Sequence, residues 1–319
     1  MAEHAVETEG LRRSFGETEA VAGVDLAVAE GEIYGFLGPN GAGKTTVVRM
    51  LCTLLAPTGG TARVAGFDVA ADPDAVRLRI GVALQDAALD DRQSGRELLR
   101  LQARLYGLGK AEADTRIAEV GHIIDQEAID RPIGTYSGGM KRRLDLAAAL
   151  VHNPLVLFLD EPTTGLDPTS RVAVWDEVRR LRAELGMTIF LTTQYLEEAD
   201  VLADRVGIID HGRLVAEGTP EELKRSVGSD VIVAQIEGDA AAAEAAVRAV
   251  GGVDAVEAHR HELTIRVTDG AAVLSPVAVA LAGCGVAVRN LTMRTPTLDD
   301  VFLSLTGDRL GDDAEGEAA

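Results

Sequence analysis

The run Gly38-Pro39-Asn40-Gly41-Ala42-Gly43-Lys44-Thr45 restricts this chain more than any other segment, and Thr46 extends it. It has the form G-x-x-x-x-G-K-[ST], between an apolar strand-like stretch at 33–37 and a helical stretch at 44–55. Glycines at these positions let successive backbone N–H groups turn inward around phosphate oxygens. The helix that follows adds its positive N-terminal end. Lys44 then sets one ammonium between the terminal phosphates, and the Thr45 hydroxyl supplies part of a Mg²⁺ shell. A glycine-rich turn that happened to carry GKT would not need the flanking strand and helix.

A second segment, LVLFLDEP at 155–162, completes a phosphate chemistry. An apolar strand delivers Asp160 to its C-terminal end, where ligands bind in parallel sheets. Asp160 reaches Mg²⁺ through water, and Glu161 next to it polarises an attacking water as general base. The plainer reading has two exposed acids ending a strand; the phosphate loop upstream argues against it.

The organisation around these segments is that of an α/β domain. Strand-like runs at 33–37, 155–160, 188–192 and 205–210 alternate with amphipathic stretches over 1–227. Uncharged runs such as LVLFL and TIFLTT predict strands buried on both faces. Residues 86–152 form an inserted helical subdomain, rich in periodic Leu and Ala. Thr219-Pro220-Glu221-Glu222 is a capping box that starts a closing helix. From 228 to 307 the pattern becomes strand 231–236, helix 240–250, strands 253–258 and 263–267, helix 276–282 and strand 286–293, then a helix at 298–305. That βαββαβ order predicts a small α+β ferredoxin-like domain. The acidic 308–319 reads as a disordered tail.

Charge narrows the partners. Of 319 residues, 31 are Lys or Arg and 51 Asp or Glu, a net charge of −20, which argues against nucleic acid and against a polybasic grip on lipid. Cys52 and Cys284 are the only cysteines, too few for a disulfide scaffold, and fit a reducing cytosol. The N-terminal segment is acidic and unlike a secretory signal. Residues 270–288 carry no charge, yet Ser275-Pro276 and Gly283-Cys284-Gly285 punctuate them, which predicts a short soluble helix starting at Pro276 instead of a span. The histidines at 122, 152, 211, 259 and 261 show no metal-ligand spacing.

Between the two phosphate segments lies Tyr136-Ser137-Gly138-Gly139-Met140-Lys141-Arg142, opening a helix with free N–H groups. By itself SGG is an ordinary helix cap. In this order, however, the three segments resemble the motifs of ABC-transporter ATPases over 8–225. The resemblance implies a P-loop NTPase of the ABC ATPase type. It implies that Ser137, Gly138 and Gly139 close over ATP held by a second copy, in a homodimer with two ATP sandwiched. It carries over Phe15 as the aromatic stacking on adenine, the alternative being a core Phe near a strand end. It carries over Gln85 as a Q-loop residue touching Mg²⁺ or water, and Asp167 as the D-loop residue facing the other subunit. Asp167 also reads as the N-cap of a helix starting at Pro168.

One position departs from that pattern. Gln194, in LTTQYLEEAD, stands where most such ATPases have a histidine on the γ-phosphate. An amide donates a hydrogen bond but relays no proton, so Glu161 carries the base role and turnover is expected to be slow. TTQYLEEAD, GRLVAEGTPEELK, the C-terminal domain and TLDDVFLSLTG together resemble the daunorubicin/doxorubicin-resistance ATP-binding subunits. That implies ATP-driven export of a drug or hydrophobic metabolite through a separate integral membrane permease, with this subunit at the cytoplasmic face of the membrane. Lipid, glycolipid or polysaccharide export is an alternative. A non-transport ATPase has the single ATPase unit, the lack of coiled-coil arms and the acidic charge against it. The C-terminal domain is read either as a sensor or as a dimerisation and stability element.

Overall fold

The computed structural model describes residues 4–84, 89–124, 127–228, 230–259 and 262–306. The chain divides between Pro220 and Glu221 into two compact units. In the first, β1 (His4–Phe15) and β2 (Thr18–Ala29) form a long hairpin, followed by β3 (Ile33–Leu37) and α1 (Lys44–Leu51). Next come β4 (Gly59–Val64), β5 (Phe67–Asp68), α2 (Pro73–Arg77) and β6 (Ile80–Ala83). Helices α3 (Gly95–Leu105), α4 (Lys110–Val120) and α5 (Gly138–Leu150) follow. The unit then runs through β7 (Val156–Asp160), α6 (Pro168–Leu185), β8 (Thr188–Thr193), α7 (Leu196–Leu202), β9 (Arg205–Asp210) and β10 (Arg213–Gly218).

The central sheet has the order β10-β9-β3-β8-β7-β6, parallel except for the β10 edge. Strands β3, β7 and β8 are buried at every position, as their unbroken apolar runs predict. One sheet face presents Tyr34, Phe36, Phe158 and Phe190, whose rings lie 5.5–5.6 Å apart. They pack with Val47, Val48, Met50 and Leu51 of α1 and with the antiparallel sheet β2-β1-β4-β5. The other face packs Leu157, Leu159, Ile189 and Leu191 against α5, α6 and the helices of the insertion. Burying both faces fixes the strand ends, and it is at those ends that the chemistry-bearing side chains sit.

The second unit contains α8 (Pro220–Val227), β11 (Asp230–Glu237), α9 (Ala240–Arg248), β12 (Val253–His259), β13 (Glu262–Val267), α10 (Gly270–Gly283), β14 (Ala287–Arg294) and α11 (Leu298–Thr306). The helix expected to close the first domain is thus grouped, from Glu221 onward, with the second. The sheet order β12-β13-β11-β14, antiparallel throughout, is that of a ferredoxin-like βαββαβ fold. Its core is Ile232, Ile236, Val247, Ile265, Val277 and Leu281 among others.

Two element boundaries differ from the sequence expectation. Helix α10 starts at Gly270, not Pro276: the Asp269 carboxylate accepts from the Ala272 N–H at 3.1 Å, and Asp230 Oδ2 accepts from the Gly270 N–H at 2.7 Å. Two acids thus cap the helix a turn and a half upstream, and Pro276 lies inside it. Helix α1 ends at Leu51 instead of reaching Leu55, because Thr53 turns left-handed (φ 60°) and the Leu54 and Leu55 N–H groups fold back onto the Arg49 carbonyl. No described helix is long and apolar enough to cross a membrane.

Candidate phosphate-binding and catalytic site

The glycine-rich loop leaves β3 and enters α1 through Gly43, whose φ of +108° is closed to most side chains. A Cβ there would also sit 2.6 Å from the Ala20 carbonyl, and one at Gly38 would meet the Ile209 carbonyl at 2.4 Å. The loop can therefore fold back on the sheet only with glycine at both positions. Helix α1 starts without a side-chain cap or an acid in its first turn, so its first N–H groups stay available to an anion.

Pro39, Asn40, Gly41, Gly43, Lys44, Thr45 and Thr46 line one cleft of about 250 Å³ with Ala20 and Glu161. Ala42 is buried behind it. Lys44 Nζ donates to the carbonyls of Gly38 (2.7 Å) and Pro39 (3.0 Å) and lies 3.4 Å from Glu161 Oε1. Burial pulls the Lys44 pKa down, and Glu161 opposes that shift. Thr45 Oγ1 donates to Asp160 Oδ1 at 3.2 Å, and Thr192 Oγ1 donates to the same oxygen at 2.5 Å. Glu161 itself has a left-handed backbone, φ 48°. Its N–H donates to the carbonyl and hydroxyl oxygens of Thr192, both at 3.1 Å, and its Oε2 accepts from Thr164 Oγ1 at 3.3 Å.

One hydroxyl and one carboxylate are hard oxygen donors that suit Mg²⁺, whose remaining positions go to water and phosphate. Among the described residues no group of three or more His, Cys, Asp or Glu converges as a self-sufficient metal cage. Such a donor set fits an ion that arrives with a phosphate ligand.

The remaining described residues predicted from sequence do not line this cleft. Ser137 caps α5 by accepting from the Met140 N–H at 3.2 Å, with Gly138 and Gly139 in the first turn. A Cβ at Gly139 would meet Ser170 Oγ at 2.5 Å, so that glycine also serves the packing of α5 on α6. Asp167 caps α6: Oδ1 accepts from the Thr169 and Ser170 N–H groups at 3.1 Å and Oδ2 from the Ser170 hydroxyl at 2.6 Å. Phe15 lies at the tip of the β1–β2 hairpin, 48% exposed, with the Arg13 guanidinium 4.6 Å from its ring centre, so it is no core residue. Gln194 follows β8 in a turn fixed by Thr193 Oγ1, which accepts from the Tyr195 N–H at 2.9 Å. Gln85 lies outside the described residues.

Sequence reasoning missed Ala20 and Thr192. Neither carries a signal in the sequence, because each depends on which strands become neighbours.

Comparison with known proteins decides the family. The ABC transporter family model matches residues 21–164, and that of the ATP-binding protein DrrA1-3-like C-terminal domain matches 218–306. The daunorubicin resistance ATP-binding protein DrrA3 of Streptomyces coeruleorubidus is 49% identical over 97% of this chain and 98% of its own. This chain belongs to the ABC-transporter ATP-binding subunits. The daunorubicin/doxorubicin resistance ATP-binding protein DrrA of Streptomyces peucetius is likewise 49% identical, over 99% of this chain and 96% of its own. A solved ATP-binding subunit of an ABC transporter superposes with a TM-score of 0.64 at 27% identity, covering 70% of this chain and 92% of that one. As a member of this group the chain binds ATP, hydrolyses it and serves as the ATPase subunit of an exporter.

Proposed function

We propose that this ATPase binds Mg²⁺-ATP between its own glycine-rich loop and the Ser137–Gly139 turn of a second copy, and powers export of an anthracycline-like drug through a separate permease. The observation that carries the reading is the convergence of Lys44, Thr45 and Glu161 on one cleft, with Asp160 bonded to Thr45, from which Ser137, Gly138 and Gly139 are absent. One chain supplies half of an ATP sandwich, which supports the homodimer. The 49% identity to daunorubicin-resistance subunits supports the drug class.

Bound Mg²⁺ would neutralise charge on the β- and γ-phosphates and hold them in line for attack. Thr45 Oγ1 and Asp160 are the residues to hold it, with Gln85 as a further ligand from beyond the described residues. Lys44 places its ammonium against the terminal phosphates, exchanging Glu161 for a phosphate oxygen. Glu161, released from that contact, takes the proton of the attacking water at its carboxylate. Gln194 donates an amide hydrogen bond toward the γ-phosphate and moves no proton. Phe15 presents its exposed ring to adenine, and Asp167 faces the second copy beyond its cap.

The permease contact is assigned to a groove of about 700 Å³ with Leu54, Leu78 and Leu105 at its rim and Asp74 and Asp145 within it. Its apolar lining suits the apolar face of a permease helix, since Asp74 and Asp145 are already paired with Arg77 and Arg142. Such docking holds the subunit at the cytoplasmic face of the membrane, with no need of lipid contacts.

Glu161→Gln tests the site: hydrolysis is abolished and ATP-bound dimers accumulate in gel filtration. Hydrolysis at the parental rate would remove Glu161 as base. A pull-down from membranes tests the setting, with recovery of a multi-span permease expected and recovery of ribosomes or DNA overturning it.

A further inference from the structure

Arg142 lies on the first turns of α5, downstream of Ser137–Gly139, with only 10% of its side chain exposed. Its guanidinium reaches three carbonyls on two separate segments. Nε donates to the Pro162 carbonyl at 2.8 Å, Nη2 to the Asp160 carbonyl at 3.2 Å, and Nη1 to the Leu84 carbonyl at 2.6 Å. Nη1 is also 3.3 Å from Asp145 Oδ2, on the wall of the apolar groove. A buried guanidinium with one carboxylate partner is costly to place, so its multiple bonds to backbone need a reason.

The reason lies in what two of those carbonyls flank. Asp160 and Pro162 stand on either side of Glu161, the non-glycine residue held at φ 48°. A left-handed backbone costs a side chain on the order of 1–2 kcal/mol and persists only where its neighbours hold it there. Thr192 holds the Glu161 N–H and the Thr164 N–H holds the Glu161 carbonyl, but neither ties residue 160 to residue 162. Arg142 does, bonding the carbonyl before Glu161 and that of the residue after it, because a planar fork can bond several carbonyls at once where an ammonium cannot.

We propose that Arg142 is a positioning residue for Glu161, clamping the Asp160 and Pro162 carbonyls so that the general base keeps its strained backbone and its aim at the phosphate cleft. Because the clamp rides on the helix that starts with Ser137–Gly139, a displacement of that helix against β7 reaches Glu161 directly. The third bond extends the clamp to Leu84, at the end of β6 next to Gln85. The inference rests on the reading of Glu161 as base.

The test is steady-state ATPase kinetics on full-length Arg142→Lys and Arg142→Gln, alongside Glu161→Gln, with affinity for a fluorescent ATP analogue measured separately. Both Arg142 variants should lose about tenfold or more in kcat, since small misplacements of a catalytic group are expensive. KM and nucleotide affinity should stay within about twofold, because the loop that binds phosphate is untouched. The clamp is overturned if kcat per folded, nucleotide-binding molecule is parental. It is also overturned if kcat and affinity fall together, or if neither variant folds, which would make Arg142 a structural residue only. Parental turnover by Glu161→Gln sinks the base reading whatever Arg142 does; inactive Glu161→Gln with parental Arg142→Lys sinks the clamp alone.

Discussion

Lys44 Nζ and Glu161 Oε1 stand 3.4 Å apart with both side chains almost wholly buried, so the cation proposed to grip phosphate and the acid proposed to activate water are each other's partner. A buried ion pair of this kind adds little net stability, but removing one member strands the other charge. In the proposed mechanism the pair couples phosphate binding to release of the base, because a phosphate oxygen that engages Lys44 would replace the carboxylate.

Lys44→Ala should reduce ATP hydrolysis at least about 100-fold, read by phosphate release, through loss of the ammonium at the transferring phosphate. It should also destabilise the chain by roughly 3 kcal/mol in urea unfolding, since Glu161 is left buried and unpaired. Lys44→Ala/Glu161→Gln should recover much of that stability and none of the activity. A double variant no more stable than Lys44→Ala would show that the contact carries no energetic coupling.

Gln194 tests how much of the γ-phosphate contact an amide can supply. Gln194→Ala should lose the proposed hydrogen bond toward a charged oxygen, and with it about tenfold in kcat. Gln194→His should keep or raise the parental kcat, since imidazole donates the same bond. Equal kcat in parent and Gln194→Ala would take Gln194 out of the site.

Much of this site is legible from sequence because its chemistry is local. Gly38–Thr45 and Asp160-Glu161 each sit on one strand end, and the flanking apolar runs fix that placement without any long-range information. The βαββαβ order of the second unit is readable for the same reason, as its central strands β11 and β13 alternate buried with more exposed positions. Thr192 on Asp160 and the Ala20 carbonyl against Gly43 depend on which strands become neighbours, and no spacing in the sequence states that. The N-terminal sheet was equally silent: the long β1–β2 hairpin has bulges that break its alternation. At α10 two cap signals competed, and Asp269 with Asp230 prevailed over Ser275-Pro276 because the Asp230 contact is tertiary.

Asp145 gives the groove a pH signature. Burial pushes its carboxyl up to about 6 from an ordinary 3.8, and Arg142 only partly opposes this. Between those values the folded chain keeps a proton that the unfolded chain has released. Its contribution to stability is complete below about pH 4 and is lost as pH rises through 6, at most about 3 kcal/mol in total. Asp145→Asn, which mimics the protonated form, should melt higher than the parent at pH 8 and alongside it near pH 4. A variant no more stable at pH 8 would show that the ionised carboxylate is well accommodated.

Glu198 ties together the segments on either side of the site. Its Oε1 accepts from Thr163 Oγ1, just past Glu161, and from Trp175 Nε1 on α6, both at 2.8 Å, while Glu198 itself lies on α7 behind Gln194. The residue is fully buried, and burial raises its pKa. Glu198→Gln keeps a carbonyl oxygen for both donors and sheds the charge that burial disfavours, so unfolding free energy should change by less than about 1 kcal/mol. Glu198→Ala leaves a hydroxyl and an indole N–H unpaired beside a cavity and should cost about 3 kcal/mol. Trp175 is the only tryptophan in the chain, so its emission reads this contact directly. Emission should be close to parental in Glu198→Gln and shifted in Glu198→Ala, and an unchanged spectrum in the alanine variant would mean that the indole N–H has found another partner.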